Sequence, residues 1–185
     1  VRHGRPRPPE RLIPVGVQAA LGYQHKAGNP LHRAVRAVAG SKPGAVFFSK
    51  TIQPIDGAVH KLTGNTSTAT ELLAGLPVVY LTTVGRKSGQ PRRTPLIAVP
   101  IGDDLALLGT NFGGKRTPGW VFNLEAEPRV KIGYRITEID VVARSATADE
   151  FEAVFAAGGS IYGGYTKYRE RVDGRDIRVF VLEQA

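Results

Sequence analysis

The most informative stretch of this chain is Leu81-Thr82-Thr83-Val84-Gly85-Arg86-Lys87-Ser88-Gly89-Gln90-Pro91-Arg92-Arg93. An apolar strand leads into a loop that is flanked by glycines and carries two cations, and a second strand begins near Thr94. Such a loop offers backbone N–H groups, a hydroxyl and positive charge at one place, which is the chemistry of a phosphate-binding loop. A solvated hairpin turn with surface charges explains the same residue types equally well.

A second loop of the same kind follows another apolar strand. The strand is Leu105-Ala106-Leu107-Leu108, and the loop is Gly109-Thr110-Asn111-Phe112-Gly113-Gly114-Lys115-Arg116. Two glycine-rich basic loops at strand ends can converge on one ligand, which favours phosphate binding over a simple turn. A short helix is predicted next, because Pro118 suits the first turn of a helix and Pro128 stops it.

Composition restricts the chemistry that this chain can perform unaided. It has 185 residues, of which 42% are apolar, enough for one domain with a sizeable core. There is no Cys, and all four histidines lie before residue 65: His3, His25, His32 and His60. Residues 65–185 therefore contain neither His nor Cys. Ser-His-Asp and Cys-His catalytic sites and His-based metal sites are excluded from that part of the chain. Any catalysis there is expected to depend on a bound cofactor, and no metal site is predicted.

The positive charge is concentrated at the N-terminus. Residues 1–64 hold 10 Lys or Arg and 2 acidic residues, a net charge of +8, whereas residues 65–185 hold 15 and 14, a net of +1. The simplest explanation is a solvated basic arm, and an anionic membrane surface or an anionic ligand are the alternatives. Nucleic acid is not an expected partner, because basic and aromatic residues do not alternate on a strand pair.

Two amphipathic segments are predicted before the first strand. Leu31, Ala34, Val35 and Val38 recur at helical spacing, and Gly40 can end that helix. A second apolar stripe lies between residues 45 and 62 and consists of Phe48, Ile52, Ile55, Val59 and Leu62. Packing on the rest of the protein is the more frequent fate of such stripes, and weak contact with an anionic membrane surface is the alternative.

The rest of the chain is typical of an antiparallel α+β domain. Six strands are predicted near residues 77–84, 94–101, 104–110, 129–135, 137–146 and 176–183, with helices at 118–126 and 149–157. Short turns at Gly102-Asp103-Asp104 and Arg135-Ile136-Thr137 predict two hairpins. Antiparallel order with alternating apolar residues fits a small barrel with one packed and one solvated face.

The stretch from about residue 76 to 183 resembles the deazaflavin-dependent nitroreductase family, whose members bind coenzyme F420 in a split β-barrel. The matching pieces occur in order: Thr82-Thr83-x-Gly85-Arg86-Lys87-Ser88-Gly89, Pro91-Arg92, Thr94-Pro95-Leu96, Asn111-x-Gly113, Pro118-x-Trp120, Asn123-Leu124-x-Ala126-x-Pro128 and Tyr162-x-x-Tyr165-x-x-Tyr168. The resemblance implies a six-stranded antiparallel split β-barrel over residues 67–185. Residues 1–66 would then be a basic arm with amphipathic helices, and the tyrosines a Gly/Tyr-rich C-terminal helical segment.

The resemblance also assigns a cofactor site. Arg86 and Lys87 would meet the F420 phosphate with the backbone N–H groups of Ser88 and Gly89, and Arg92 would meet the phosphate or the glutamate tail. Walls for the deazaflavin ring would come from Pro95, Leu96, Ile97, Thr110, Asn111, Phe112 and Gly113. Trp120 either joins that site or anchors the 118–126 helix in the core.

Three tyrosines complete the predicted site. From the residues alone, the glycine-rich stretch before them predicts either aromatic packing against the barrel or a lid over a planar ligand. The resemblance favours the lid, with Tyr165 as proton donor or substrate clamp and with Tyr162 and Tyr168 as pocket walls. A neutral tyrosine can donate a hydrogen bond to an oxygen that gains charge.

The resulting prediction is a deazaflavin-dependent oxidoreductase. It would transfer a hydride from reduced F420 to a small acceptor such as a quinone, an activated alkene or a nitro compound. An FMN- or haem-binding split barrel, and an F420-binding protein without turnover, are the alternatives that share the same features. The chain is expected to be cytoplasmic, with peripheral membrane contact as a further option, and to be a monomer or homodimer.

Overall fold

The computed structural model describes residues 16–24, 30–39, 74–172 and 174–185, and single positions at 41, 43, 55, 58, 59, 62 and 70. The helices are α1 (Val17–Leu21), α2 (Pro30–Ala39), α3 (Gly119–Ala126), α4 (Ala148–Ile161) and α5 (Gly164–Arg171). The strands are β1 (Val78–Val84), β2 (Pro91–Ile97), β3 (Val99–Ile101), β4 (Asp104–Leu108), β5 (Arg129–Tyr134), β6 (Thr137–Ser145) and β7 (Val179–Gln184).

The seven strands form one antiparallel sheet in the order β2-β1-β5-β6-β7-β4-β3. Strands β2 and β3 therefore lie at opposite edges, yet Ala98 alone separates them along the chain. A single residue spans only a few ångströms, so the sheet must curl until its two edges meet. The fold is thus α+β with a curled antiparallel sheet, which is consistent with the predicted split barrel.

The predicted count of six strands is wrong. The segment 94–101 was expected to be one strand, but it divides at Ala98 because its two halves pair with different partners. The first half pairs with β1 over Val78–Val84, and the second pairs with β4. Both predicted hairpins are confirmed, and in the β5–β6 turn Arg135 takes a left-handed backbone with φ 54°.

Helix α4 extends beyond its predicted range at both ends. Thr147 caps it, since its side chain accepts from the Glu150 amide while the Glu150 carboxylate accepts from the Thr147 amide. At the other end, the helix continues through Gly158 instead of weakening there. A Cβ at Gly158 would lie 3.1 Å from the Tyr165 ring, so the glycine permits close packing of α4 on α5.

The N-terminal helices contact the barrel in different ways. Val17, Leu21 and Tyr23 are buried in the same core cluster as the strands. In the predicted stripe of α2, Ala34 and Val38 are exposed, Val38 to 60%, while Val35 is half-buried. Of the predicted 45–62 stripe, Phe48 and Ile52 lie outside the described residues, whereas Ile55 and Leu62 are exposed and Val59 is half-buried. Membrane contact stays a prediction. No described helix combines the length and apolar character needed to cross a bilayer.

Candidate functional site

A cavity of about 740 Å³ lies between the two basic loops, helix α2 and helix α5. Fourteen of the sixteen predicted site residues line it: Arg86, Lys87, Ser88, Arg92, Pro95, Leu96, Ile97, Thr110, Asn111, Phe112, Trp120, Tyr162, Tyr165 and Tyr168. The other two, Gly89 and Gly113, lie in the backbone turns beside it. The structure thus brings both loops and the tyrosine segment to one place.

The first basic loop is a tight turn that closes β1 onto β2. The amides of Ser88 and Gly89 both donate to the Gly85 carbonyl, at 3.0 and 2.8 Å. The turn thus uses both N–H groups that were expected to meet the phosphate, and phosphate binding at Ser88 and Gly89 stays a prediction. The cationic groups that remain at this rim are the exposed side chains of Arg86, Lys87 and Arg92.

Asn123 anchors this turn to the core, a role that sequence reasoning missed. Its Oδ1 accepts from the Arg86 amide at 3.1 Å, and its Nδ2 donates to Thr83 Oγ1 at 3.0 Å. Thr83 and Asn123 are both buried, so their polar atoms depend on each other. The Arg86 guanidinium then lies 4.7 Å from the centre of the Phe122 ring, a cation–π contact.

The second loop has an unusual backbone. Asn111, Phe112 and Gly113 are left-handed in succession, with φ of 50°, 55° and 77°. Each non-glycine residue in this conformation costs roughly 1–2 kcal/mol, so the surrounding contacts must hold it. A Cβ at Gly113 would also lie 3.3 Å from the Tyr168 ring, a tight contact that would require the ring to shift slightly.

The three tyrosines are buried, and their hydroxyls all have partners. Tyr165 donates to the Ile97 carbonyl at 3.0 Å. Tyr168 donates to the Ala39 carbonyl at 3.3 Å, so in its 2.7 Å contact with Tyr162 the Tyr162 hydroxyl is the donor. Burial raises the pKa of each of the three phenols above its ordinary value, which keeps them protonated at neutral pH.

Trp120 lies in the core and also borders the cavity, while its predicted contact with the cofactor stays a prediction. It is 7% exposed, belongs to the barrel core and meets the Phe180 ring edge-on at 6.1 Å between centroids. It also lines the cavity. Helix α3 thereby fixes one wall of the cavity to the core.

Sequence reasoning did not identify the wall that α2 contributes. Val35, Arg36 and Ala39 line the cavity. Arg36 fixes this wall by donating to the carbonyls of Ala74, Gly75 and Ile161 at 2.7 to 3.0 Å. The signal in the sequence was the helical spacing of α2, but spacing alone does not tell which face meets a ligand.

The charge of the cavity has one sign. Among the described residues that line it, the ionisable groups are Arg, Lys and Tyr, and there is no Asp, Glu or His. Nor does the described part of the chain group three or more His, Cys, Asp or Glu side chains where they could hold a metal ion. An anionic ligand suits the basic rim, and a planar apolar group suits the walls formed by Leu96, Ile97 and Phe112.

Comparison with known proteins identifies the family. A solved F420-H2-dependent reductase is 32% identical, with a TM-score of 0.53 over 58% of this chain and 94% of its own. A second solved structure, described as a domain-swapped dimer, is 28% identical, with a TM-score of 0.55 over 69% of this chain and 95% of its own. The F420H(2)-dependent quinone reductase of Mycobacterium tuberculosis H37Rv is 37% identical over 57% of this chain and 72% of its own.

The comparison with family models covers most of the curled sheet, the cavity and the tyrosine segment. The model described as F420H(2)-dependent quinone reductase matches residues 57–184, more than half of the chain. This match contains both basic loops, Trp120 and all three tyrosines. The chain therefore belongs to the F420H(2)-dependent quinone reductase family.

Proposed function

We propose that this protein reduces quinones in the cavity described above, with reduced F420 as hydride donor. Membership in the family makes it an oxidoreductase with F420 as cofactor. The observation that carries the proposal is that one cavity has a basic rim at Arg86, Lys87 and Arg92 and an apolar, aromatic interior. That division matches a cofactor with an anionic tail and a planar ring.

The residues present fit the cofactor in charge and shape. Guanidinium and ammonium groups at the rim suit a phosphodiester and glutamate carboxylates. Leu96 and Ile97 on one side, with Thr110, Asn111 and Phe112 on the other, offer walls for a planar ring. When bound, reduced F420 supplies the hydride, and this agrees with a cavity whose described lining has no carboxylate or imidazole for acid–base chemistry.

The far end of the cavity is the proposed acceptor site. Val35, Ala39 and Leu76 make it apolar, and Tyr162, Tyr165 and Tyr168 close it. A flat apolar molecule such as a quinone would gain by leaving water there. The quinone takes up one hydride and one proton to become a hydroquinone, so the tyrosines would orient it or pass it that proton.

Tyr165 remains the proposed proton donor or substrate clamp. Its proton is committed to the Ile97 carbonyl, so donation to an acceptor requires that bond to open or the proton to be replaced. Its raised pKa favours hydrogen bonding over ionisation. Tyr162 and Tyr168 are proposed as walls whose shared hydrogen bonds fix their rings.

The domain organisation and the oligomeric state are two further proposals. The division into an N-terminal unit over residues 1–66 and a barrel over residues 67–185 is one of them. The other is the oligomeric state, monomer or homodimer, for which the relative solved as a domain-swapped dimer supports the dimer. Light scattering of the purified chain separates monomer from dimer.

The test of the proposed function has two steps. Oxidised F420, FMN and FAD are titrated side by side by fluorescence, and F420 is expected to bind clearly more tightly than the other two. Reduced F420 is then offered with a quinone, an activated alkene and a nitro compound in parallel. Equal or tighter binding of FMN refutes the cofactor, and turnover of the alkene or nitro compound without the quinone refutes the acceptor.

A further inference from the structure

The guanidinium of Arg175 makes hydrogen bonds to the backbone of the second loop. Its Nη1 donates to the Gly109 carbonyl at 3.0 Å and its Nη2 to the Thr110 carbonyl at 2.9 Å. Its Nε and Nη2 both donate to the Gly114 carbonyl, at 3.2 and 3.1 Å. One side chain thereby ties together the two ends of the loop that forms a wall of the cavity.

The carbonyls that Arg175 binds flank the left-handed run of residues 111–113. Within the loop, the Gly113 amide donates to Thr110 and the Gly114 amide to Asn111, at 3.0 and 2.8 Å. The Asn111 side chain adds a bond to the Arg116 carbonyl at 2.9 Å. These contacts are all local, whereas Arg175 connects the loop to the segment between α5 and β7.

We propose that Arg175 is a positioning residue for the cofactor. It holds the left-handed loop so that Thr110, Asn111 and Phe112 face the cavity in one fixed arrangement. Arg175 does not itself line the cavity, so it acts through the loop. This inference rests on the proposed function, because the ligand that the loop would receive is the deazaflavin ring.

The geometry requires an arginine and not merely a positive charge. Three nitrogens of one planar group reach three carbonyls, and a planar fork loses little freedom when it makes several bonds at once. A lysine at this position keeps the charge but has one nitrogen, which cannot span the same carbonyls. Arg175→Lys therefore separates the effect of the fork from the effect of the charge.

The experiment uses the full chain with Arg175→Lys, Arg175→Ala and a matched control, Arg144→Ala. Arg144 also makes several guanidinium bonds, to Glu150 and Glu183, but it lies away from the cavity. Affinity for oxidised F420 is measured by fluorescence, and the absorption spectrum of bound F420 reports the surroundings of its ring. Amide hydrogen exchange at Gly113 and Gly114 is measured without any cofactor.

Both Arg175 variants are expected to weaken F420 binding about tenfold and to alter the spectrum of bound F420. Exchange at Gly113 and Gly114 is expected to become faster in both. Millimolar guanidinium is expected to restore part of the affinity of Arg175→Ala. Arg144→Ala is expected to melt at a lower temperature but to bind F420 as the wild type does.

Different results would refute the proposed function and the role of Arg175. Absence of F420 binding by the wild-type chain refutes the proposed function. Unchanged exchange at Gly113 and Gly114 in Arg175→Ala refutes the role of Arg175 in holding the loop, whatever the ligand is. Faster exchange with unaltered affinity and spectrum in Arg175→Lys overturns the positioning role, because the loop would then move without consequence for the cofactor.

Discussion

Replacement of Asn123 by leucine tests whether the core of the barrel positions the first basic loop. Asn123 is 9% exposed and makes two hydrogen bonds, one to the Arg86 amide and one to Thr83 Oγ1. Leucine has the same number and branching of side-chain heavy atoms but can make neither bond. The variant therefore detaches the turn that carries Arg86 while the helix that carries position 123 stays apolar and packed.

The magnitude follows from the groups that lose their partners. Thr83 is 2% exposed, and a buried hydroxyl without a partner costs about 1–3 kcal/mol. The Arg86 amide is partly buried, and its lost bond adds about 1 kcal/mol. The expected loss is thus about 2–4 kcal/mol, which lowers the melting temperature of a domain of this size by about 4–16 °C.

A second variant separates stability from cofactor binding. Thr83→Val together with Asn123→Leu replaces both buried partners by apolar groups, which is expected to restore most of the lost stability. The Arg86 amide still lacks its acceptor, so the turn stays loose. Affinity for F420 is expected to fall about three- to tenfold in both the single and the double variant.

The assay pairs thermal melting by circular dichroism with fluorescence titration of F420. Wild-type affinity in Asn123→Leu, despite a lower melting temperature, would show that the anchor has no influence on the basic rim. Full recovery of affinity in the double variant would show that the defect came from global stability alone. Either result refutes the reasoning.

Four further predictions concern the rim, the tyrosines, the N-terminus and pH. Arg86→Ala and Lys87→Ala should each weaken F420 binding about tenfold to a hundredfold in titrations, because each removes a charge-assisted bond, whereas exposed Arg129→Ala should not. Tyr165→Phe should slow quinone reduction with nearly unchanged F420 affinity, and a normal rate would reduce Tyr165 to a packing residue. A chain that starts at Ser67 lacks the buried residues Val17, Leu21 and Tyr23, and the burial of each stabilises the fold by roughly 1.5–3 kcal/mol. This shortened chain should therefore lose its cooperative thermal unfolding. Unfolding like that of the wild type would instead support an independent domain. Hydrogen bonds from Arg144 lower the pKa of Glu150 from 4.5 to about 2. The stability of the fold should therefore fall as the pH drops from about 4.5 towards 2. Thermal unfolding at about pH 7, 4 and 3 should show a weaker pH dependence in Glu150→Gln than in the wild type.

Most of the local elements, and the segments that line the cavity, could be predicted from the sequence. Alternating apolar residues located the strands, short turns located both hairpins, and Pro118 and Pro128 bracketed a helix that runs from Gly119 to Ala126. The two glycine-rich loops and the tyrosine segment were identified by motifs in order along the chain. These signals are readable because turn chemistry and hydrophobic period depend on neighbouring residues.

The contacts that join these elements could not be predicted, because they form between residues far apart in the chain. The bond between Asn123 and Thr83 joins residues 40 apart, and that between Arg175 and Gly109 joins residues 66 apart. Nor does any local pattern divide a strand at Ala98 or place Val17 in the barrel core, since both depend on which edges of the sheet meet. These hydrogen bonds form only when the sheet curls, because closure brings residues that are distant in the chain within bonding distance. A buried side chain then bonds to whichever polar group lies next to it in the fold, and the local sequence does not specify that group.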